Sequence, residues 1–234
     1  SLEPGPFQEA FASTGRVQLS PFLKEQCAEA LLDHVRGRSD WHLVLNAGAK
    51  VFEIDRAGQA AMEAGQRERM EMMVAAAARS GFQYRFESVR VPDEEAARSE
   101  RGSLLDRFAS FMSSEPVLDL LRAITLAQDI SFADAQATSY SPGHFLTTHD
   151  DAVEGKQRRA AYVLGLTREW RAEWGGLLMF HDPAGDIEQA YLPRMNVLNL
   201  FTVPALHSVS LVAPFAAEPR YSVTGWLRAA APRG

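Results

Sequence analysis

The sequence predicts an α+β fold in which an antiparallel β core fills the second half of the chain and helices from the first half brace it. Up to residue 127 most runs have helical spacing or composition. After Gln128, eight short stretches rich in β-branched and aromatic residues are separated by turn residues, a pattern typical of a sandwich, jelly roll or barrel. No linker rich in Pro, Gly or Ser separates the halves. We therefore expect one domain over residues 1–234, with 1–127 as mainly helical support and 128–228 as the core.

The first predicted helix spans residues 21–36. Ser20 is a plausible N-cap, and Pro21 suits the first helical position. Apolar side chains recur at steps of four, which places Cys27 on the inward face. We therefore expect Cys27 to be a small buried residue and not a nucleophile.

Two further helical regions follow. Residues 57–80 are rich in Ala, Met and Glu, which favour helix, and Gly81 is expected to end the helix. Residues 104–126 are expected to form one or two helices with a break near 113–116, where serines and a proline interrupt the apolar pattern.

The rest of the first half is predicted to be extended or irregular. Residues 41–45 and 51–54 are expected to pair as strands across a turn, and 84–91 alternates as a further strand. The polar stretch 94–100 is expected to be a loop, and residues 1–6 an unstructured lead-in.

The second half is expected to be almost entirely strand and turn. Each predicted strand is short and is followed by residues that favour turns. The predicted strands are 130–140, 145–149, 160–167, 176–180, 187–192, 196–203, 208–212 and 221–227.

Composition excludes several classes of protein. The net charge of -6 argues against general binding to nucleic acid or to anionic membranes, although Lys156, Arg158 and Arg159 could form a local basic patch. No apolar stretch reaches membrane-spanning length. The single cysteine cannot form an intrachain disulfide, which favours a cytoplasmic location.

A candidate metal site begins at His149. In an extended chain, residues two apart point the same way, so His149 and Asp151 can converge on one ion while Asp150 points elsewhere. His207 is the expected third ligand. Two histidines and one carboxylate hold non-haem Fe(II) with open positions, although Zn²⁺ accepts the same set. His181 is a rival ligand.

An arginine after the second histidine suits a carboxylate ligand. Arg220 opens an alternating strand and shares one face with Ser222. A guanidinium offers a planar fork that matches a carboxylate through two hydrogen bonds. We therefore expect Arg220 to bind an anionic cosubstrate, with the Ser222 hydroxyl on the same side.

These motifs together resemble a known family. The ordered series is similar to the Fe(II)/2-oxoglutarate-dependent dioxygenases, and within them to the prolyl 4-hydroxylase-like group. Residues 149–164 are especially similar to the branch that hydroxylates a proline of a small-subunit ribosomal protein. The series consists of Tyr140 to Gly143, Leu146, His149 and Asp151, Gly175 to Phe180, His207, Arg220 and Ser222, and Gly225 and Trp226.

The resemblance implies a double-stranded β-helix, which is a jelly-roll variant. It implies that His149, Asp151 and His207 hold Fe(II) at the catalytic centre. It also implies that 2-oxoglutarate chelates the iron and that its far carboxylate binds Arg220, with help from Ser222 and Tyr140. It further implies O₂ as the oxidant, release of succinate and CO₂, and ascorbate as a candidate accessory reductant. Related enzymes commonly have a tyrosine near position 165, where this chain has glycine.

Alternatives remain open at the level of sequence. The substrate is expected to be a prolyl residue of a protein, but a small molecule or a free amino acid is an alternative. An alternative of another class is a cupin-like metal-binding protein without oxygenase activity. Arg220 and Ser222 favour the oxygenase, because a metal site that does not use 2-oxoglutarate has no need of them.

Overall fold

The computed structural model describes residues 3–229. Within them, seven helices pack on an antiparallel sheet of thirteen strands, so the predicted α+β class is confirmed. The helices are α1 Pro4–Thr14, α2 Glu25–Arg36, α3 Arg56–Ala61, α4 Ala64–Ala78, α5 Glu95–Arg101, α6 Leu104–Met112 and α7 Glu115–Thr125, and a short 3₁₀ turn covers Ala172–Trp174. The first strands are β1 Arg16–Leu19, β2 His42–Ala47, β3 Lys50–Asp55, β4 Tyr84–Arg90, β5 Phe132–Ala133, β6 Gln136–Tyr140 and β7 Phe145–His149. The remaining strands are β8 Arg158–Gly165, β9 Leu178–His181, β10 Ile187–Tyr191, β11 Val197–Thr202, β12 His207–Val209 and β13 Arg220–Arg228.

The sheet joins strands from both halves of the chain. Its order is β1-β11-β8-β13-β6-β4-β7-β12-β9-β10, with β2 paired to β3 and β4, and β5 paired to β13. Strand β1 extends the edge of the sheet beyond β11, whereas β4 lies between β6 and β7. The curled sheet therefore depends on strands that precede residue 128.

Alternation along β8 separates two hydrophobic clusters. Tyr162 and Leu164 are fully buried in the large cluster that the sheet forms with the helices. Ala161 and Val163 point the other way, into a smaller cluster with Phe180. Because residues of a strand alternate between its faces, β8 anchors the helical layer on one side and lines the inside of the curl on the other.

Helix α2 begins four residues later than the apolar repeat predicts. The backbone amide of Phe22 donates to the carbonyl of Asn196, and that of Leu23 donates to the Asn196 side chain at 2.8 Å. These bonds hold residues 22 and 23 outside the helix. The prediction that Cys27 is buried is wrong, because it is exposed and Ala28 takes the inward position.

Other departures have local causes. The predicted helix 57–80 is two helices, because a capping box at Glu63 starts α4 afresh, and Arg79 takes the C-cap position expected for Gly81. The stretch predicted as a loop at 94–100 is largely helix α5.

The sequence analysis missed an ion pair within helix α5. Arg98 of α5 is buried and forms an ion pair with Glu95 three residues earlier. Ion pairs at this spacing stabilise short helices. Of the predicted lead-in, residues 1 and 2 lie outside the described part of the chain, and helix α1 already begins at Pro4.

Several predictions are confirmed. Strands 41–45 and 51–54 pair as β2 and β3, and the helical region 104–126 breaks before Glu115. Strand β7 has the predicted bounds. No helix within residues 3–229 combines the length and the apolar character needed to cross a membrane.

Asp134 is a largely buried carboxylate in the short connection between β5 and β6. Its Oδ1 accepts a hydrogen bond from the backbone amide of Trp226 at 2.7 Å. Burial raises the pKa of Asp134 to about 6, and the nearby carboxylate of Asp93 adds to the effect. The Trp226 amide opposes it, as do Arg158 and Arg228.

We predict that replacing Asp134 with Asn flattens the pH dependence of stability. The folded protein retains this proton up to about pH 6, whereas the unfolded chain loses it near 3.8. The stabilising contribution of the protonated acid is therefore present at low pH and is lost as pH rises through about 6, up to about 3 kcal/mol. Urea unfolding at pH 4 and pH 7 measures it. Equal pH slopes in the wild type and Asp134→Asn would contradict the prediction.

Candidate metal centre

Two histidines face each other across a pair of neighbouring strands. His149 is the last residue of β7 and His207 the first of β12, and the antiparallel register sets them directly opposite one another. Their ring centroids are 4.1 Å apart. The two imidazoles are thus brought together by strand pairing, although 57 residues separate them along the chain.

Asp151 completes a group of three potential ligands. Its Oδ1 lies 3.4 Å from His149 Nε2, and its Oδ2 lies 3.4 Å from His207 Nε2. One ligand atom from each residue can be chosen so that all lie within 4.8 Å of one another. Metal–ligand bonds of about 2.0–2.2 Å can span such a group, so the geometry fits a single ion.

The two imidazole rings are oriented by their own backbone. His149 Nδ1 lies 3.0 Å from the Thr147 carbonyl, and His207 Nδ1 lies 2.7 Å from that of Ala205. A carbonyl only accepts, so each Nδ1 donates a proton and each Nε2 is the nitrogen that faces the ion. Outer hydrogen bonds of this type fix the tautomer of metal-binding histidines.

Asp151 reaches the histidines by a different route from the one the sequence suggests. It lies beyond the end of β7 with φ at 62°, so a left-handed turn, and not strand alternation, directs its carboxylate. Burial would raise the pKa of Asp151. The adjacent imidazoles of His149 and His207 outweigh burial and hold that pKa well below its usual range, so the carboxylate is ionised. Asp150 is exposed and accepts from the Ala152 amide, as expected for a residue outside the ligand set.

The rival histidine lies outside the cluster. His181 Nε2 is 2.7 Å from the Ser208 hydroxyl, and His181 is not among the three clustered ligands found within residues 3–229. His207 and Ser208 are consecutive in β12 and so face opposite sides of the sheet. His181 therefore lies behind the strand that carries the metal ligand.

Arg220 is a buried cation that pairs with no carboxylate among residues 3–229. It begins β13 directly opposite Tyr140 on β6, and only 4% of its surface is exposed. Within the described part of the chain, no carboxylate pairs with Arg220, and its buried Nη1 has no hydrogen-bond partner. Burial lowers the pKa of this guanidinium. An uncompensated buried charge is costly, and a bound carboxylate would satisfy it.

The other two expected cosubstrate residues flank Arg220. Ser222 is buried, and its hydroxyl lies 2.8 Å from that of Thr138 on β6. The ring of Tyr140 stacks on Phe86 at 5.2 Å, and the Arg220 guanidinium carbon lies 5.2 Å from the same ring. Burial raises the pKa of the Tyr140 hydroxyl, which therefore stays protonated and able to donate.

Two consecutive glycines follow the short 3₁₀ turn, and the second lies beside this arginine. A side chain at Gly175 would collide with the Leu211 carbonyl. Gly176 has φ at 62°, and a Cβ there would lie 3.5 Å from Arg220 Cδ. The main chain therefore passes close to Leu211 at Gly175 and close to Arg220 at Gly176.

Gly165 is also fixed by a close contact. A Cβ at this position would collide with the backbone carbonyl oxygen of Arg194. The main chain of residue 194 therefore fills the space in front of position 165, and no tyrosine can be placed there without moving it.

Thr138 and Arg158 were missed in the sequence as parts of the site. Thr138 could have been found, because it lies two residues before Tyr140 and so shares its face of β6. Arg158 appeared in the sequence as part of a basic patch. In the structure its side chain is only 14% exposed and contacts Asp151, whereas Arg159 pairs with Asp129 at the surface.

Comparison with known proteins supports these assignments. Residues 135–228 match the 2OG-Fe(II) oxygenase superfamily. The resemblance to the Fe(II)/2-oxoglutarate-dependent dioxygenases is therefore confirmed over the stretch that contains the metal cluster and Arg220. The cluster of His149, Asp151 and His207 fits Fe(II) with 2-oxoglutarate as cosubstrate. No curated protein matches the chain.

Solved structures share the fold at low identity. A prolyl-4-hydroxylase from Pseudomonas putida is 19% identical with a TM-score of 0.59, and the match covers 99% of this chain and 100% of that one. A Trichoplax adhaerens prolyl hydroxylase, solved with a hypoxia inducible factor peptide fragment, is 16% identical with a TM-score of 0.60 over 95% and 87% of the two chains. The α-ketoglutarate-dependent epimerase SnoN of nogalamycin biosynthesis is 11% identical with a TM-score of 0.58 over 96% and 83%. The predicted double-stranded β-helix is confirmed.

We predict that His149→Ala and His207→Ala each weaken Co(II) binding more than about 100-fold. Each change removes a ligand, and even the outer partners of metal ligands are worth 10–100-fold in affinity. Calorimetric titration of the metal-free protein measures the change. His181→Ala is the matched control and should bind like the wild type. A larger loss in His181→Ala than in His149→Ala would overturn the ligand assignment.

Proposed function

We propose that this protein is an Fe(II)- and 2-oxoglutarate-dependent dioxygenase that hydroxylates a prolyl residue of a protein and releases succinate and CO₂. The observation that carries the proposal is a buried Arg220, to which no carboxylate of the described residues binds, close to a group of three metal ligands. Tyr140 lies near both features, because the charge of Arg220 lowers the pKa of its hydroxyl and the charge of Asp151 raises it. A metal site without an anionic cosubstrate would have no use for this arginine.

Each residue has a role that follows from its position. His149, Asp151 and His207 would hold the ion through three ligands and leave its other positions open. When bound, Fe(II) together with 2-oxoglutarate would supply the chemistry that activates O₂, the oxidant, while the protein binds and orients the reactants.

Arg220 would receive the far carboxylate of 2-oxoglutarate. Its planar fork donates two hydrogen bonds, which are strong because the guanidinium is excluded from water. The hydroxyls of Ser222 and Thr138 lie two residues along the same strands and hydrogen-bond to each other, so one of the two is left to donate to the cosubstrate. The Arg194 carbonyl in front of Gly165 only accepts, so it cannot replace the hydroxyl that related enzymes have there.

A protein substrate is supported by two observations. Residues 149–164 resemble the branch that hydroxylates a ribosomal proline, and the Trichoplax neighbour was solved with a peptide. The net charge of -6 also suits a basic protein partner, because complementary charge speeds association. The paired strands of both halves support treating residues 1–234 as a single dioxygenase domain.

A small-molecule substrate is the second candidate. The observation in its favour is the similar fold of SnoN, an epimerase of nogalamycin biosynthesis. The two candidates differ in where the product appears. A protein substrate gains one oxygen atom on a proline. The oxidised product of a small-molecule substrate is instead found among the metabolites.

Mass spectrometry of cellular proteins tests the proposal directly. Proteins from cells with the wild type are compared with those from cells with His149→Ala. A one-oxygen gain on a prolyl residue that appears only with the wild type is expected. Succinate formation that continues in His149→Ala at the wild-type rate would contradict the proposal.

We predict that Arg220→Ala raises the 2-oxoglutarate concentration for half-maximal succinate formation by about 100-fold or more. Two charge-assisted hydrogen bonds are lost, each worth roughly 1.5–3 kcal/mol. Co(II) affinity should change little, because Arg220 is not a metal ligand. Arg171→Ala removes an arginine that is 68% exposed and serves as the control. An unchanged 2-oxoglutarate requirement in Arg220→Ala would refute its role.

A further inference from the structure

The loop between β7 and β8 is closed by a contact to one of the metal ligands. Residues 150–157 form this loop, and Arg158 follows it as the first residue of β8. Arg158 Nη1 donates to the Asp151 backbone carbonyl at 2.9 Å and lies 3.8 Å from Asp151 Oδ1. The side chain at the end of the loop therefore reaches back to the residue near its beginning.

Asp151 has a backbone conformation that needs support. Its φ of 62° is in the left-handed region, which residues with a side chain seldom occupy. Such conformations persist where the surrounding structure holds them. The flanking residue Asp150 is tied on both sides, because its carboxylate accepts from the Ala152 amide and its carbonyl accepts from the Ala205 amide. For Asp151 itself, the hydrogen bond to the backbone carbonyl comes from Arg158.

Arg158 is held rigidly in turn. Its guanidinium carbon lies 3.5 Å from the centroid of the Trp226 ring, a stacked contact. The backbone amide of Trp226 donates to Asp134, which anchors the stacking partner on β13. Arg228 donates to the Lys156 carbonyl at 3.2 Å and fixes the end of the loop. A side chain that stacks on Trp226 and donates from its tip to the Asp151 carbonyl can transmit that restraint to Asp151.

We propose that Arg158 is a positioning residue for the metal site. It holds the Asp151 backbone in the left-handed conformation that turns the carboxylate toward His149 and His207. This inference rests on the metal centre of the proposed function and is independent of its substrate.

Charge and geometry make opposite predictions for Arg158. A guanidinium near a divalent cation repels it, so loss of the positive charge would tighten metal binding. Loss of the positioning contact would weaken it, because the carboxylate would no longer be held in place. Arg158→Lys separates the effects, since lysine retains the charge but lacks the planar fork that stacks and donates in a fixed direction.

Calorimetric titration with Co(II) alone provides the test. Arg158→Ala and Arg158→Lys should both weaken Co(II) binding by about 10–100-fold, the range typical of outer partners of metal ligands. The visible spectrum of bound Co(II) should also change, because one ligand is displaced. Arg159→Ala is the matched control, as its side chain is 39% exposed and pairs with Asp129. It should bind Co(II) like the wild type.

Unchanged Co(II) affinity in both Arg158 variants, or tighter binding in Arg158→Ala, would overturn the proposal. If the Arg158 variants fail to fold, Trp226→Leu and Trp226→Phe replace them. Leucine removes the stacking plane and should weaken Co(II) binding, whereas phenylalanine retains a ring and should weaken it less. Equal affinity in the two Trp226 variants would equally refute the positioning role. A wild type that binds Co(II) but forms no succinate refutes the oxygenase and leaves this inference standing.

Discussion

The pairing of β7 with β12 is the constraint on which the site depends. It sets His149 opposite His207, and a slip of one residue would turn one imidazole to the other side of the sheet. Strand β12 has only three residues, so its register is secured by β9 on its other edge. Both rings are further oriented by carbonyls of their own strand ends. Backbone hydrogen bonds thus create the ligand geometry before any ion is bound.

The second determinant is the burial of Arg220 in a strand with neighbours on both edges. Strand β13 pairs with β6 from Arg220 onward and with β8 from Ser222 onward, so the strand that carries the arginine is fixed within the sheet. Tyr140 and Ser222 beside it are uncharged and do not neutralise it. The fold therefore maintains an unbalanced positive charge in its interior, which is a large cost unless an anion completes the site.

Much of the fold and of the candidate site could be predicted from the sequence. The features that could not be predicted depend on contacts between residues that are separated along the chain. The limits of β7 follow from its residue types, and the candidate ligands follow from the order of His149, Asp151 and His207 along the chain. The turn at Asp151 could not be predicted, because a left-handed aspartate depends on contacts made by Arg158 seven residues later. Arg158 itself appeared to be part of a solvated basic run, since sequence does not show which of two adjacent arginines faces inward. Cys27 was misplaced by one position, because Asn196 draws residues 22 and 23 out of the helix.

The place of β13 in the sheet has a consequence for how the chain folds. This strand follows the other twelve in the described sequence, yet it lies near the centre of their spatial order. Strand β1 pairs with β11, about 180 residues away along the chain. Contacts of such long sequence separation are slow to form, so the sheet cannot be completed until Arg228 has been synthesised. During synthesis on the ribosome, the half-sheets that would flank β13 therefore expose unpaired edges, and chaperones are expected to protect them.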